Sequence, residues 1–307
     1  LIRTRHFENI LIDGGNTGSG TYVLSSLMKT KNSFLLILCL LLFSSLHAQN
    51  EPVKILAIGN SFADDGIEYL DEIATSAGKH IIVANTYIPG CSIQRHLDNA
   101  RHDKHAYKYR KNIDGKYTEE KGKSLLEALK DEEWDFIVFQ QASSFAGQYS
   151  SYFPELTELM EYVKENATNP NVKYAMQQTW AYAKDSNHPG FFRYGKNQKA
   201  MYEDVVFSYD KAAQKQNISI VVPTGTAIQN GRSSSLGDTF CRDGYHLDLK
   251  YGRYTAACAW FETFFGESPI GITYRPEGVT DEQASIAQHA AHFAILRPTS
   301  VTDMSNF

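Results

Sequence analysis

The chain has 307 residues, 42% hydrophobic and 21% charged, which is ordinary globular composition and enough for one large α/β domain or two small ones. Its formal charge of -5 carries no basic excess of the kind that draws a protein to nucleic acid. Without residues 1–49, which hold four cations against two carboxylates, the charge falls to about -7.

Residues 1–27 show no periodicity and precede an internal beginning, so they are expected to be a non-native upstream extension. Met28-Lys-Thr-Lys opens a basic segment, Phe34 to Phe43 is apolar, and Ser44-Ser-Leu-His-Ala48 ends in small residues. That is the layout of a signal peptide over 28–48, cut after Ala48. The apolar core is too short for a comfortable membrane span. Cys39 follows Leu38, which is larger than a lipoprotein cleavage site takes, so no lipid anchor is expected. The expectation is an exported, periplasmic or extracellular protein without stable membrane insertion, its single domain running over 50–307.

Lys54-Ile-Leu-Ala-Ile-Gly-Asn-Ser61 is a short uninterrupted apolar run that stops at Gly59-Asn60-Ser61, which predicts a strand buried on both faces and then a helix through Ile67, Leu70 and Ile73. Strands are also predicted over 80–86, 134–141, 172–180 and 218–222. Tyr107, Tyr109 and Tyr117 flank Asp114-Gly115, a turn signal that predicts a surface hairpin inserted near 104–120. Helices are expected over 124–132, 154–166, 196–216, 251–265 and 280–296. Strands alternating with helices give a three-layer αβα, flavodoxin-like architecture with a five-stranded parallel sheet.

Ser61 falls at the carboxyl end of the first strand, where open α/β sheets collect their chemistry. By itself it reads equally as a helix cap. A second segment, Cys241-Arg-Asp-Gly-Tyr-His-Leu-Asp248, puts Asp243 and His246 three positions apart in a turn before a helix. A histidine that takes a proton from serine needs its other ring nitrogen held by an acceptor, which Asp243 can supply.

With these blocks together, the sequence resembles the SGNH, or GDSL-like, hydrolase superfamily. Gly59-Asn60-Ser61 matches its first block, Gly90 its second, and Asp243 with His246 its last. Asn60 replaces the usual aspartate, and Gln140-Gln141 stands where a Gly-x-Asn-Asp block is usual. That pair looks more like the Gln-Gly-Glu block of the acetylesterase branch acting on sialic acids and xylan. The resemblance implies a serine esterase that removes small acyl groups from glycans or other carbohydrate esters, with Ser61 as nucleophile, His246 as base and Asp243 as its orienting acid. It implies an oxyanion hole of Ser61, Gly90 and Gln141. Asn60, His96, Gln140 and Trp180 are expected to face substrate. No metal or organic cofactor is implied. A non-catalytic carbohydrate-binding protein on the same fold and a lipase- or thioesterase-like member are the alternatives.

Other features read more plainly. Cys91 and Cys241 each adjoin a site block, which leaves a disulfide or two free thiols open; Cys258 reads as a buried core thiol. His96, His102 and His105 lack the companions of a metal site. Trp180, Tyr182, Tyr149 and Tyr152 are candidates for an aromatic sugar platform. Asp64 and Asp65 read as charges at a helix N-terminus rather than a glycosidase pair.

Overall fold

The computed structural model describes residues 51–307; the expected upstream extension and signal peptide lie outside the described residues. Seven strands form one sheet: β1 (Val53–Ile58), β2 (Ile81–Tyr87), β3 (Tyr107–Ile113), β4 (Lys116–Lys123), β5 (Phe136–Phe139), β6 (Lys173–Gln177) and β7 (Ile220–Val222). Their spatial order is β4-β3-β2-β1-β5-β6-β7. The five predicted strands form the parallel part, with Ala57 beside Val138 and Ile58 beside Phe139 at the centre.

The expected surface hairpin is a correction. β3 pairs antiparallel with β2, placing Asn85 opposite Arg110, so the hairpin extends the sheet from five strands to seven. Its turn was legible: Asp114 and Gly115 both have positive φ, at 45° and 80°, as the tightest hairpin turns require. What the polar composition concealed is that Tyr107 and Tyr109 alternate inward and are buried. Lys111 of β3 also reaches Asp131 and Glu132, each at 2.7 Å, tying the hairpin to the chain ahead of β5.

Along β1 the side chains divide by alternation. Leu56 and Ile58 enter one core with Ile137 and Phe139. Ile55 and Ala57 enter the other with Val138 and Ala175. The first core is covered by α3 (Ile93–Arg101), α4 (Leu125–Lys130), α5 (Glu155–Asn166) and α6 (Gln198–Gln216). The second is covered by α1 (Ser61–Ile67), α2 (Leu70–Ser76), α8 (Tyr251–Phe265) and α9 (Asp281–Leu296). This is the three-layer αβα arrangement, with helices on both faces of the sheet.

Two helices escape the sequence pattern. The residues of α3 are mostly polar, yet Ser92 caps it by accepting from the Arg95 N–H. α7 (Thr224–Gly231) starts with Thr-Gly-Thr, a poor helix former. Tertiary packing overrides that weakness, because a Cβ at Gly225 would lie 2.2 Å from the Thr179 carbonyl oxygen.

Ile137 is fully enclosed between the layers, whereas Tyr117 on β4 is 60% exposed. Ile137→Ala should lose about 2–5 kcal/mol of unfolding free energy in urea titration, and Tyr117→Ala should stay within about 0.5 kcal/mol.

Candidate active site

The parallel strands point their carboxyl ends at one edge of the sheet, and the loops leaving β1, β2 and β5 meet there. β1 runs into Gly59 and Asn60, and α1 begins at Ser61. The Asn60 Oδ1 caps this helix by accepting the Phe62 N–H at 2.9 Å. As the first residue of the helix, Ser61 has an N–H without an intrahelical acceptor. Among the described residues, neither this N–H nor that of Gly90 has a protein partner.

The loop from Cys241 to Leu247 lies across the start of α1. It is closed by a bridge between Cys241 and Leu247 and by the Arg242 N–H donated to His246 O at 2.9 Å. Asp243 Oδ1 accepts the His246 and Tyr245 N–H groups at 2.7 and 3.2 Å, and Gly244 turns the chain at φ 88°. The loop therefore aims both side chains one way: His246 Nδ1 lies 2.7 Å from Asp243 Oδ2, and His246 Nε2 lies 3.0 Å from Ser61 Oγ. Partial burial pushes the Asp243 carboxyl up, but the hydrogen bonds from His246 and Tyr245 outweigh it and hold it below the ordinary range. Asp243 is thus ionised when it orients the imidazole.

Ser61, Asp243 and His246 come together at the site edge, and Gly90, exposed and held at φ 59°, lies in the turn whose next residue, Cys91, accepts from Asn60 beside Ser61. The remaining expected residues do not reach it. Asn60 and Gln140 are 1% exposed and paired with each other: the Asn60 N–H reaches Gln140 Oε1 at 3.3 Å, and Gln140 Nε2 donates to Asn60 Oδ1 at 3.0 Å. Asn60 Nδ2 donates to Cys91 O at 3.0 Å, holding the turn that carries Gly90. The Gln141 amide is spent as well, with Oε1 accepting from the Ile93 and Ala142 N–H groups and Nε2 donating to Ser151 O at 2.9 Å. It clamps loops together, so the structure does not present it as an oxyanion donor.

His96 is fully buried with Nδ1 3.0 Å from Tyr107 Oη, and burial pushes its pKa down to about 3. It is a neutral core residue. Trp180 lies beneath the site, stacked 4.3 Å from the Phe62 ring and donating its indole N–H to Tyr245 O at 2.7 Å. Tyr152 and Tyr182 are equally enclosed, and the half-buried Tyr149 packs on Phe153 and Phe207, so three of the four expected platform residues are core. A half-buried aromatic edge is instead made by Tyr245 and His188, whose rings lie 4.7 Å apart, with Tyr245 4.2 Å from His246. Cys91 and Cys241 are free thiols, pushed up by burial to about 12 and about 11; Cys258 is a free buried thiol, as expected. Among the described residues no cluster suits a metal ion, and no helix is long and apolar enough to cross a membrane.

Two neighbours on α1 were underestimated by reading them as dipole charges. Asp64 accepts from Asn85 and pairs with Arg110 of the hairpin. Asp65 is 1% exposed and is bonded to the loop that carries His246.

An open αβα sheet with a serine, a histidine and an aspartate in hydrogen-bonded series at its carboxyl edge defines the class: a three-layer α/β protein with a Ser–His–Asp series at the sheet edge. The particular family is the domain of unknown function DUF4886, which matches residues 54–294 and to which this chain belongs. A crystal structure of a DUF4886 family protein from Bacteroides uniformis is 46% identical, with a TM-score of 0.81 covering 82% of this chain and 98% of that one. A protein from Slackia heliotrinireducens, provisionally described as an SGNH hydrolase, is 19% identical with a TM-score of 0.48, covering 69% of this chain and 99% of that one. Axe2, an acetylxylan esterase from Geobacillus stearothermophilus, is 12% identical with a TM-score of 0.45, covering 75% and 99%. No curated protein matches significantly.

Two outcomes follow from the local geometry. Gln141→Ala should lower the melting temperature, since its amide clamps the Ile93 and Ser151 segments. Burial raises the Asp64 carboxyl from its ordinary 3.8 to about 6, against the lowering pull of Asn85 and Arg110. Between about pH 4 and 6 the folded protein holds a proton that the unfolded chain has released, so this group's contribution to stability falls as pH rises through that window. Urea titrations from pH 4 to 7 should show the wild type losing stability relative to Asp64→Asn, with no further change above about pH 7.

Proposed function

We propose that this protein is a serine esterase acting by acyl transfer. The observation that carries the reading is the unbroken series from Ser61 Oγ to His246 Nε2 at 3.0 Å and from His246 Nδ1 to Asp243 Oδ2 at 2.7 Å. Ser61 Oγ attacks the ester carbonyl carbon as His246 Nε2 takes its proton, and the carbonyl oxygen gains the negative charge. The Ser61 and Gly90 N–H groups, without partners among the described residues, are the donors available to that oxyanion. His246 then returns the proton to the leaving alcohol, and a water repeats the sequence to release the acid. Asp243 keeps Nδ1 protonated throughout, so the free lone pair sits on the nitrogen facing serine.

The substrate we infer is an O-acyl, principally O-acetyl, ester of a carbohydrate outside the cytoplasm. Export is supported by the pattern from Met28 to Ala48. The sugar is supported by the half-buried Tyr245 and His188 rings beside the base, which offer a flat apolar face next to polar groups. The motif resemblance and the description of Axe2 as an acetylxylan esterase agree with this choice.

The full chain should hydrolyse a chromogenic acetate ester. Ser61→Ala should reduce kcat by at least about 10⁴, and Asp243→Asn, which can reverse the imidazole tautomer, by about 10²–10⁴. Equal activity in wild type and Ser61→Ala would sink the esterase reading. Glycan binding without labelling by a fluorophosphonate would point to a non-catalytic member, and acetate released from acetylated polysaccharides would establish the substrate class.

A further inference from the structure

We propose that Asp65 is a positioning residue for the acyl-transfer site, holding the segment that carries Asp243 and His246 against the helix that carries Ser61. The proposal rests on the esterase reading for its catalytic consequence and on independent geometry for the tether itself.

Asp65 lies one helical turn beyond Ser61 on α1 and is 1% exposed. A carboxylate in that position cannot rely on water, and each of its oxygens is engaged from the far segment. Oδ2 accepts the Leu247 N–H at 2.9 Å, one residue after His246. Oδ1 receives Arg253 Nε at 2.8 Å and Arg253 Nη2 at 2.7 Å, from the first turn of α8. Arg242 Nη1 stands 3.3 Å from both oxygens and also donates to the Leu247 carbonyl. The residues on either side of the Asp243–His246 turn are therefore bonded to one buried carboxylate, as is the helix that follows it.

The geometry of the far partners is equally specific. Arg253 also reaches Glu68 at 3.1 Å, so its guanidinium bridges the second turn of the helix that carries Ser61 and the residue capping its end. The charged groups facing Asp65 are Arg242 and Arg253, with Asp64 its neighbour on the same helix. Asp64 does not share these partners; it turns to Asn85 and Arg110. The two adjacent aspartates thus divide the work: Asp64 binds the hairpin side, and Asp65 binds the catalytic loop.

A tether of this type acts on rate rather than on substrate affinity. Ser61 and His246 are 185 positions apart, and their 3.0 Å separation depends on how α1 and the loop are docked. Small displacements between reacting groups are costly to turnover, whereas groups that contact substrate away from the reaction keep their places. Breaking one partner of a buried, hydrogen-bonded charge set leaves the others uncompensated.

The test uses the full chain, p-nitrophenyl acetate, and fluorophosphonate titration to count reactive serines. Asp65→Asn and Arg253→Gln should each lower kcat per titrated serine by about ten- to a hundredfold with KM within about threefold, and the double variant should lose little beyond the worse single one. In parallel, backbone amide exchange at Leu247 should accelerate at least about tenfold in both single variants while amides of β1 and β5 keep their protection. If Asp65→Asn fails to accumulate as folded protein, Arg253→Gln, whose side chain is 17% exposed, carries the same measurements. Unchanged kcat per titrated serine overturns the positioning role, and unchanged exchange at Leu247 overturns the tether. An inactive wild type with accelerated exchange in the variants would leave the tether standing and remove the esterase reading, so the two fail separately.

Discussion

A Cβ atom at Gly59 would lie 2.5 Å from the Ala63 Cβ and 2.8 Å from Gln140 Oε1, so the turn after β1 can fold back on its helix and meet the Gln140 amide because that side chain is missing. The approach brings the Asn60 N–H to Gln140 and leaves the Asn60 side chain free to cap α1 and hold the Cys91 carbonyl. The turn that carries Ser61, the turn that carries Gly90 and the loop after β5 are thereby joined through a single buried asparagine. Parallel pairing makes this possible, since it sets the carboxyl ends of neighbouring strands side by side.

The two carboxylates that serve the histidine are placed in opposite environments. The Asp243 side chain is 39% exposed and takes two backbone N–H groups and the imidazole, enough to keep it ionised near water. Asp65 is enclosed and surrounded by two arginines and an amide. A buried ion set of that type adds little net stability over a packed apolar replacement, because desolvation offsets the attraction. Its distinguishing property is direction: it is satisfied in one docking of loop against helix.

The parts that sequence conveys well are those written in local spacing. The apolar run ending at Ser61, the three-residue interval between Asp243 and His246, the five parallel strands and the long helices over 198–216 and 251–265 all depend on neighbours along the chain. The parts it concealed depend on neighbours in space. Gln141, His96 and Trp180 are residue types that serve a substrate or a core equally well, and their burial is decided by α3, β3 and the loops that cover them. Asp65 read as a helix-dipole charge because its partners, Arg242 and Arg253, lie more than 175 positions away. The hairpin read as a surface insertion because β4 is polar and exposed along nearly its whole length, while only Tyr107 and Tyr109 of β3 turn inward and are buried.

The choice of amides around Ser61 follows from what each position must do at once. Asn60 both accepts, from Phe62 and Gln140, and donates, to Cys91 O. An aspartate there would turn a charged oxygen toward the Cys91 carbonyl and lose the bond that holds the Gly90 turn. Gln140 likewise accepts the Asn60 N–H and returns a donor to Asn60 Oδ1, and Gln141 accepts from Ile93 while donating to Ser151. A carboxylate is acceptor only when ionised, and burying one unpaired would be far costlier than burying an amide. Asn60, Gln140 and Gln141 therefore form one set. Once the first of these positions is an amide that donates to the β2 turn, the amide facing it can answer both its N–H and its oxygen, and the backbone is held without placing another charge beside the histidine and aspartate.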